Sequence, residues 1–113
     1  MAQPKMWKQI DIAECYRPYL EEGDICYYTR EFISHGGYSA SEANQLIANF
    51  KKEIDRKDKP EWYYKEKAID QFAEEIASAI TSRCLITYIP SSKHKSDPEY
   101  DSRLEDTCRK VIL

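Results

Sequence analysis

One stretch of this sequence constrains its fold more than any other. Cys84 to Ile89 (CLITYI) is a continuous, β-branched-rich apolar run that stops abruptly at Pro90. A run of this kind reads as a strand buried in a sheet whose two faces are covered by helices. It is the one clear core strand in the chain, and one strand cannot make a sheet. The sequence therefore predicts an α/β polypeptide whose remaining strands come from a partner, from a further copy of itself, or from segments of weaker signal.

Most of the other periodic segments read as helix. Ile10, Ala13, Tyr16 or Arg17, and Leu20 recur at helical spacing and suggest a first helix over Asp11 to Leu20, weakened by Pro18. Gly23-Asp24 breaks the chain, and Asp24 to Phe32 (DICYYTREF) suits an edge strand before the turn at His35-Gly36-Gly37. Ser39 and Glu42 have capping-box spacing, ahead of a stripe formed by Leu46, Ile47, Phe50 and Ile54. After the charged loop Asp55 to Pro60, the longest helix is expected from about Glu61 to Ser82. Ala68, Ile69, Phe72, Ala73, Ile76, Ala77 and Ile80 form its core face. Pro90 to Pro98 is polar. A closing helix starts near Glu99 or Tyr100 and carries Leu104, Cys108, Val111 and Ile112 on one face. The expected organisation is a single partial domain over residues 1–113. Residues 1–82 supply mainly helical cover, and 83–113 supply a strand, a loop and a helix.

Charge and cysteine usage narrow the function. A net charge of −3 gives no global case for nucleic-acid binding, which shows as a positive excess. Lys51, Lys52, Arg56, Lys57 and Lys59 form one basic run, read first as a solvated surface, and Lys93, His94 and Lys95 form another. Cys15, Cys26, Cys84 and Cys108 include no C-x-x-C pair, and neither histidine lies at ligand spacing from them, so no metal is expected. The polar start lacks the apolar core of a signal peptide, and no stretch approaches the ~18 apolar residues of a membrane span. The expected setting is the cytoplasm, with reduced thiols and no membrane partner.

The chemistry is expected where the apolar run ends. A strand leading into Pro90-Ser91-Ser92-Lys93 delivers hydroxyls, backbone amides and a mobile cation to the carboxyl edge of a sheet, where open α/β folds bind ligands. The following helix can aim its amide-rich N-terminus at the same place. This set suits phosphate or pyrophosphate, with an ordinary polar loop as the alternative. Only three glycines are present, so a glycine-rich phosphate cradle is not available.

Several elements resemble a group of bacterial phosphoribosyltransferase-like proteins. They include Asp24-Ile25-Cys26-Tyr27-Tyr28, Gly37-Tyr38-Ser39, Asn44 through Lys52, and Tyr64-Lys65 with Ala68-Ile69. The most specific are Ile89-Pro90-Ser91-Ser92-Lys93 and Asp97-Pro98-Glu99-Tyr100-Asp101-Ser102-Arg103. The likeness runs from about residue 20 to 110 in matching order. More distantly, strand, loop and Arg-bearing helix look like the pyrophosphate-loop region of competence-associated phosphoribosyltransferase-like proteins. The resemblance implies that Ser91, Ser92 and Lys93 line the pyrophosphate side and that Arg103 adds a charge-assisted contact. Asp101 would orient Arg103 or cap the closing helix. No acidic pair after an apolar strand and no glycine after Gly37 match the family's ribose-phosphate loop.

That departure leaves two main readings. The leading one is half of a split phosphoribosyltransferase-like protein that supplies a pyrophosphate loop and is not catalytically complete alone. A second chain, or a further copy of this one, completes the sheet, and phosphoribosyl pyrophosphate with magnesium binds only in the assembled complex. The alternative is a non-catalytic regulatory or interaction module of the same fold. A third reading, ranked below both, is an adaptor touching nucleic acid through Lys51 to Lys59, with Trp62 and Tyr63 as stacking partners.

Overall fold

The protein is seen here as a computed structural model, which describes residues 7–13, 19–80 and 84–112. It is a small, mainly helical α/β protein with three α-helices and one two-stranded sheet among the described residues. The chain divides into two compact units, residues 1–31 and 32–113.

In the first unit β1 (Lys8–Gln9) pairs antiparallel with β2 (Tyr27–Tyr28), with Lys8 opposite Tyr28. The ladder is prolonged by the Ile10 N–H, which donates to the Cys26 carbonyl at 2.8 Å. A turn ahead of β2 is held by Asp24, whose Oδ2 accepts the Glu21 N–H at 2.8 Å. The same turn needs a left-handed residue, and Gly23 supplies it at φ 99°. Only Tyr27 and Tyr28 of the expected Asp24–Phe32 strand enter a ladder. The expected helix over Asp11 to Leu20 falls largely on residues 14–18, outside the described residues, and 11–13 carry a turn.

The second unit holds α1 (Glu42–Phe50), α2 (Trp62–Ala77) and α3 (Arg103–Ile112), with α2 packed against both of the others. The N-cap of α1 is Ser41 rather than Ser39: its Oγ accepts the Asn44 N–H at 3.0 Å. Tyr38–Ala40 form a 3-10 turn, which uses up the residues expected to cap and moves the helix start downstream. Helix α2 buries Ala68, Ile69 and Ala73 as its apolar stripe predicts. Small side chains let the helices approach closely there, and Phe72 meets Phe50 of α1 edge-on at 4.9 Å between ring centres.

Two expectations need correction. The closing helix begins at Arg103, later than Glu99 or Tyr100, because Asp97–Tyr100 is taken up by a turn in which Tyr100 N–H donates to the Asp97 carbonyl. Its most buried residue is Thr107, whose hydroxyl returns to the Arg103 carbonyl at 2.7 Å, while Leu104 and Ile112 remain exposed.

The larger correction concerns Cys84–Ile89. The run contains no helix, turn or bend, as a strand should, but among the described residues it joins no ladder, and it is not buried. Leu85 is 97% exposed and Ile89 80% exposed, with Thr87 also exposed between them, while Ile86 and Tyr88 are half-buried. The alternation is that of a strand lying with one face on the protein. A strand's hydrogen bonds are non-local, and among the described residues no second strand pairs with this one to make them.

Candidate functional site

The polar centre of the helical unit is a lysine. Lys65 occupies the apolar stripe of α2, three and four residues before Ala68 and Ile69, and its side chain is 2% exposed. Its Nζ donates to the Phe50 carbonyl at 2.8 Å, to the Lys52 carbonyl at 2.7 Å and to Asp101 Oδ2 at 2.8 Å. An ammonium has three donors, and all three are used. The Phe50 carbonyl is the last of α1, where helix-end charge favours a cation, and the Lys52 carbonyl lies two residues beyond it. Burial pushes the Lys65 pKa below that of an ordinary lysine, and the hydrogen bond to Asp101 offsets part of this. The ion pair therefore joins three separated parts of the chain: the end of α1, the first turns of α2, and the residue two before α3.

Asp101 has a second task. Its Oδ1 accepts the Arg103 N–H at 3.0 Å, at the start of α3, and its Oδ2 lies 3.4 Å from the Arg103 guanidinium. Orienting Arg103 and holding the helix start, posed as alternatives from the sequence, are performed together. The Arg103 guanidinium lies 5.7 Å from the centre of the Phe50 ring, a cation–π contact, and its other N–H groups meet no partner among the described residues.

The loop over 91–100 is exposed and tied to itself. The Ser91 hydroxyl accepts the Lys93 N–H at 3.1 Å, and Lys93 forms an ion pair with Glu99 that raises its pKa. Glu105 gathers Lys95 at 3.0 Å, Arg109 at 2.9 Å and the Tyr100 hydroxyl at 3.3 Å. The hydrogen bonds from Lys95 and Arg109 lower the Glu105 pKa to about 2.

Of the residues named from the sequence, Ser91, Ser92, Asp101 and Arg103 line one groove of about 220 Å³, walled by Tyr88, Ile89 and Tyr100. Lys93 is not in it. It lines a more open hollow of about 470 Å³ with His94 and Lys95, and its charge is turned toward Glu99. Ser91 and Ser92 line both spaces, so the predicted set is divided only between its cations, with Arg103 in the groove and Lys93 in the hollow.

No protein-family model, curated protein or solved structure matches this chain. The groove must be read from its own chemistry. It offers a guanidinium, hydroxyls and an aromatic wall beside two carboxylates, Asp101 and Glu105, which oppose a bound anion. Among the described residues, no three His, Cys, Asp or Glu side chains converge to hold a metal, and no helix is long and apolar enough to cross a membrane.

Sequence reasoning missed Lys65 and Asn44 as organising residues. The signal for Lys65 was a lysine in register with an apolar stripe, which places its charge toward the core. Asn44 stands in the first turn of α1 and is fully buried. No periodicity marks it, because its partners lie in the preceding loop.

The basic run is also dispersed. Arg56 pairs with Glu61 at 2.9 Å, and Lys52 donates to the Glu61 carbonyl. Tyr63 and Tyr64 are exposed, each with a lysine over its ring, Lys67 at 5.1 Å and Lys52 at 5.6 Å. Acidic residues interleave this surface throughout, so it does not form the basic track that nucleic acid requires.

Proposed function

We propose that this chain is one part of a composite α/β domain, in which Leu85–Ile89 accepts a strand from another chain. The observation that carries this reading is the run itself. It is unbent, alternates between half-buried and exposed residues, and presents Leu85 and Ile89 to solvent. Among the described residues, no backbone group from Leu85 to Ile89 makes a hydrogen bond. A strand edge with open donors and acceptors is a template for strand addition. Pairing would stiffen the segment that leads into the Ser91–Ser92 loop and hold the groove in place.

The test is amide hydrogen exchange in the full chain, at a concentration low enough to keep copies apart. The probe is a strand peptide of alternating valine and threonine flanked by lysines. At millimolar peptide, alternate amides from Leu85 to Ile89, those on the paired edge, are expected to exchange at least about tenfold more slowly, since each new hydrogen bond protects its donor. Exchange in this segment that ignores saturating peptide would remove the proposal.

A second, finer reading has its own support in the groove. Ser91, Ser92 and Arg103 share it, and the Arg103 guanidinium meets Asp101 only by a long contact. This favours a phosphoribosyltransferase-like half that supplies a pyrophosphate-binding loop to the assembled complex. In calorimetric titration of the chain with pyrophosphate and magnesium, Arg103→Ala is expected to weaken binding on the order of tenfold or more, the worth of a charge-assisted hydrogen bond. Wild-type protein that takes up no pyrophosphate, even with the strand peptide bound, would end this reading and leave the interaction module.

A further inference from the structure

The open segment has a symmetry that names its occupant. In a strand, the N–H and C=O of one residue point to one edge and those of the next residue to the other. Leu85, Thr87 and Ile89 therefore share one edge, and Ile86, Tyr88 and Pro90 share the other. Pro90 has no N–H, so the second edge lacks a donor and is the poorer template. The first edge is complete. Read outward from Thr87, the segment is also balanced, with Ile86 facing Tyr88 and Leu85 facing Ile89 across the centre. No residue from Cys84 to Pro90 carries a charge, although charged side chains are a usual protection of strand edges.

The geometry points to a second copy of this chain as the strand that pairs here, antiparallel, with Thr87 opposite Thr87 on a two-fold axis. The inference rests on the strand-accepting reading above and commits it to one partner. In this register Leu85 of each copy meets Ile89 of the other, and Ile86 meets Tyr88. The exposed face then gains two apolar cross-strand pairs flanking a threonine pair, all of favourable types. The three residues on the complete edge exchange about six backbone hydrogen bonds between copies. Pro90 faces away from the pairing. A two-fold contact of one patch with itself is the commonest way for identical chains to associate. Leu85 and Ile89, large apolar side chains exposed in the single chain, are the ones that this pairing brings together.

The experiment uses the full chain in sedimentation velocity, from low to high micromolar concentration. Wild type is expected to pass from monomer to dimer. Thr87→Lys and Thr87→Glu each put like charges directly opposite on the axis and are expected to weaken the dimer by more than about tenfold. An equimolar mixture of the two is expected to restore it as a mixed dimer. Thr87 is exposed, and circular dichroism checks that both variants keep the helical fold.

Amide exchange on wild-type protein gives a readout that needs no variant. In the dimer, Leu85, Thr87 and Ile89 are slowed while Ile86 and Tyr88 are not. A dimer that survives both charge variants, or that protects the even residues instead, overturns the assignment. Wild type that stays monomeric at every concentration overturns it too. If the valine–threonine peptide still slows Leu85–Ile89 in that monomer, strand acceptance stands and only the partner is wrong. If it does not, both proposals fail.

Discussion

Lys65→Met is expected to cost the helical unit about 3 kcal/mol, because breaking a buried ion pair from one side leaves the other charge uncompensated. Methionine matches the length of the lysine stem and keeps its packing along the apolar stripe, so the loss isolates the ammonium. What remains is Asp101, whose side chain is 20% exposed, facing an apolar tip, and two carbonyls at the end of α1 without their donor. The partial exposure of Asp101 keeps the figure at the lower end of the range for buried pairs. For a unit of this size the change corresponds to a fall in melting temperature of roughly 12–24 °C.

Urea denaturation of wild type, Lys65→Met and the double variant Lys65→Met/Asp101→Asn would measure it. The double variant removes the orphaned charge and should recover part of the loss. A Lys65→Met midpoint matching wild type to within about 0.5 kcal/mol, the scatter of inconsequential surface changes, would show that the ion pair does not hold the three segments together.

Asn44→Ala is expected to cost about 2–3 kcal/mol, more than the loss of an ordinary helix cap. The Asn44 side-chain amide uses its full bonding capacity. Its Nδ2 donates to the Ile33 carbonyl at 3.0 Å and the Gly37 carbonyl at 2.9 Å, and its Oδ1 accepts the Ile33 N–H at 2.8 Å and the Ser41 hydroxyl at 3.2 Å. Together these bonds fasten residues 33–37 to the start of α1. That loop contains two left-handed positions, His35 at φ 62° and Gly37 at φ 75°, and a non-glycine residue there is conformationally costly.

Gly36 is close enough to Ala40 that an added Cβ would lie 2.6 Å from the alanine methyl. The loop is thus a strained shape held by one amide, and deleting that amide should free it. Water can reach Ile33 and Gly37, which limits the penalty to less than that of Lys65→Met. Amide exchange of Ile33 gives the local readout, expected to accelerate in Asn44→Ala and in Asn44→Asp, since a carboxylate cannot donate to the two carbonyls. Unchanged Ile33 protection in both variants would assign the loop's shape to something other than Asn44.

What could be read from the sequence follows the range over which each signal acts. The existence of α1, α2 and α3 was legible because a helix satisfies its own backbone within four residues, and a local period marked the buried face of α2 though not that of α3, where Thr107 lies inward. Ala68, Ile69 and Ala73 lie inward as that period requires. Their ends were less legible: Ser41 displaced Ser39 as the cap of α1 because a 3-10 turn intervened, and a competing turn at Asp97–Tyr100 delayed α3 to Arg103. The composition of Cys84–Ile89 predicted a buried strand, and among the described residues the run is neither in a ladder nor buried. A strand is buried only when another strand and a covering layer exist, and neither is encoded in the strand itself.

The candidate site divides in the same way. Local sequence determined that Ser91, Ser92 and Lys93 share a polar loop and that Asp101 lies at the start of the helix bearing Arg103. Tertiary structure alone decided that Lys93 turns to Glu99, outside the groove that the serines share with Arg103. It alone also decided that Lys65, with acceptors at residues 50, 52 and 101, becomes the charge around which the helices meet. The physical reason is separation along the chain. A buried charge is tolerated only where several distant groups converge on it, and no window of neighbouring residues contains that convergence.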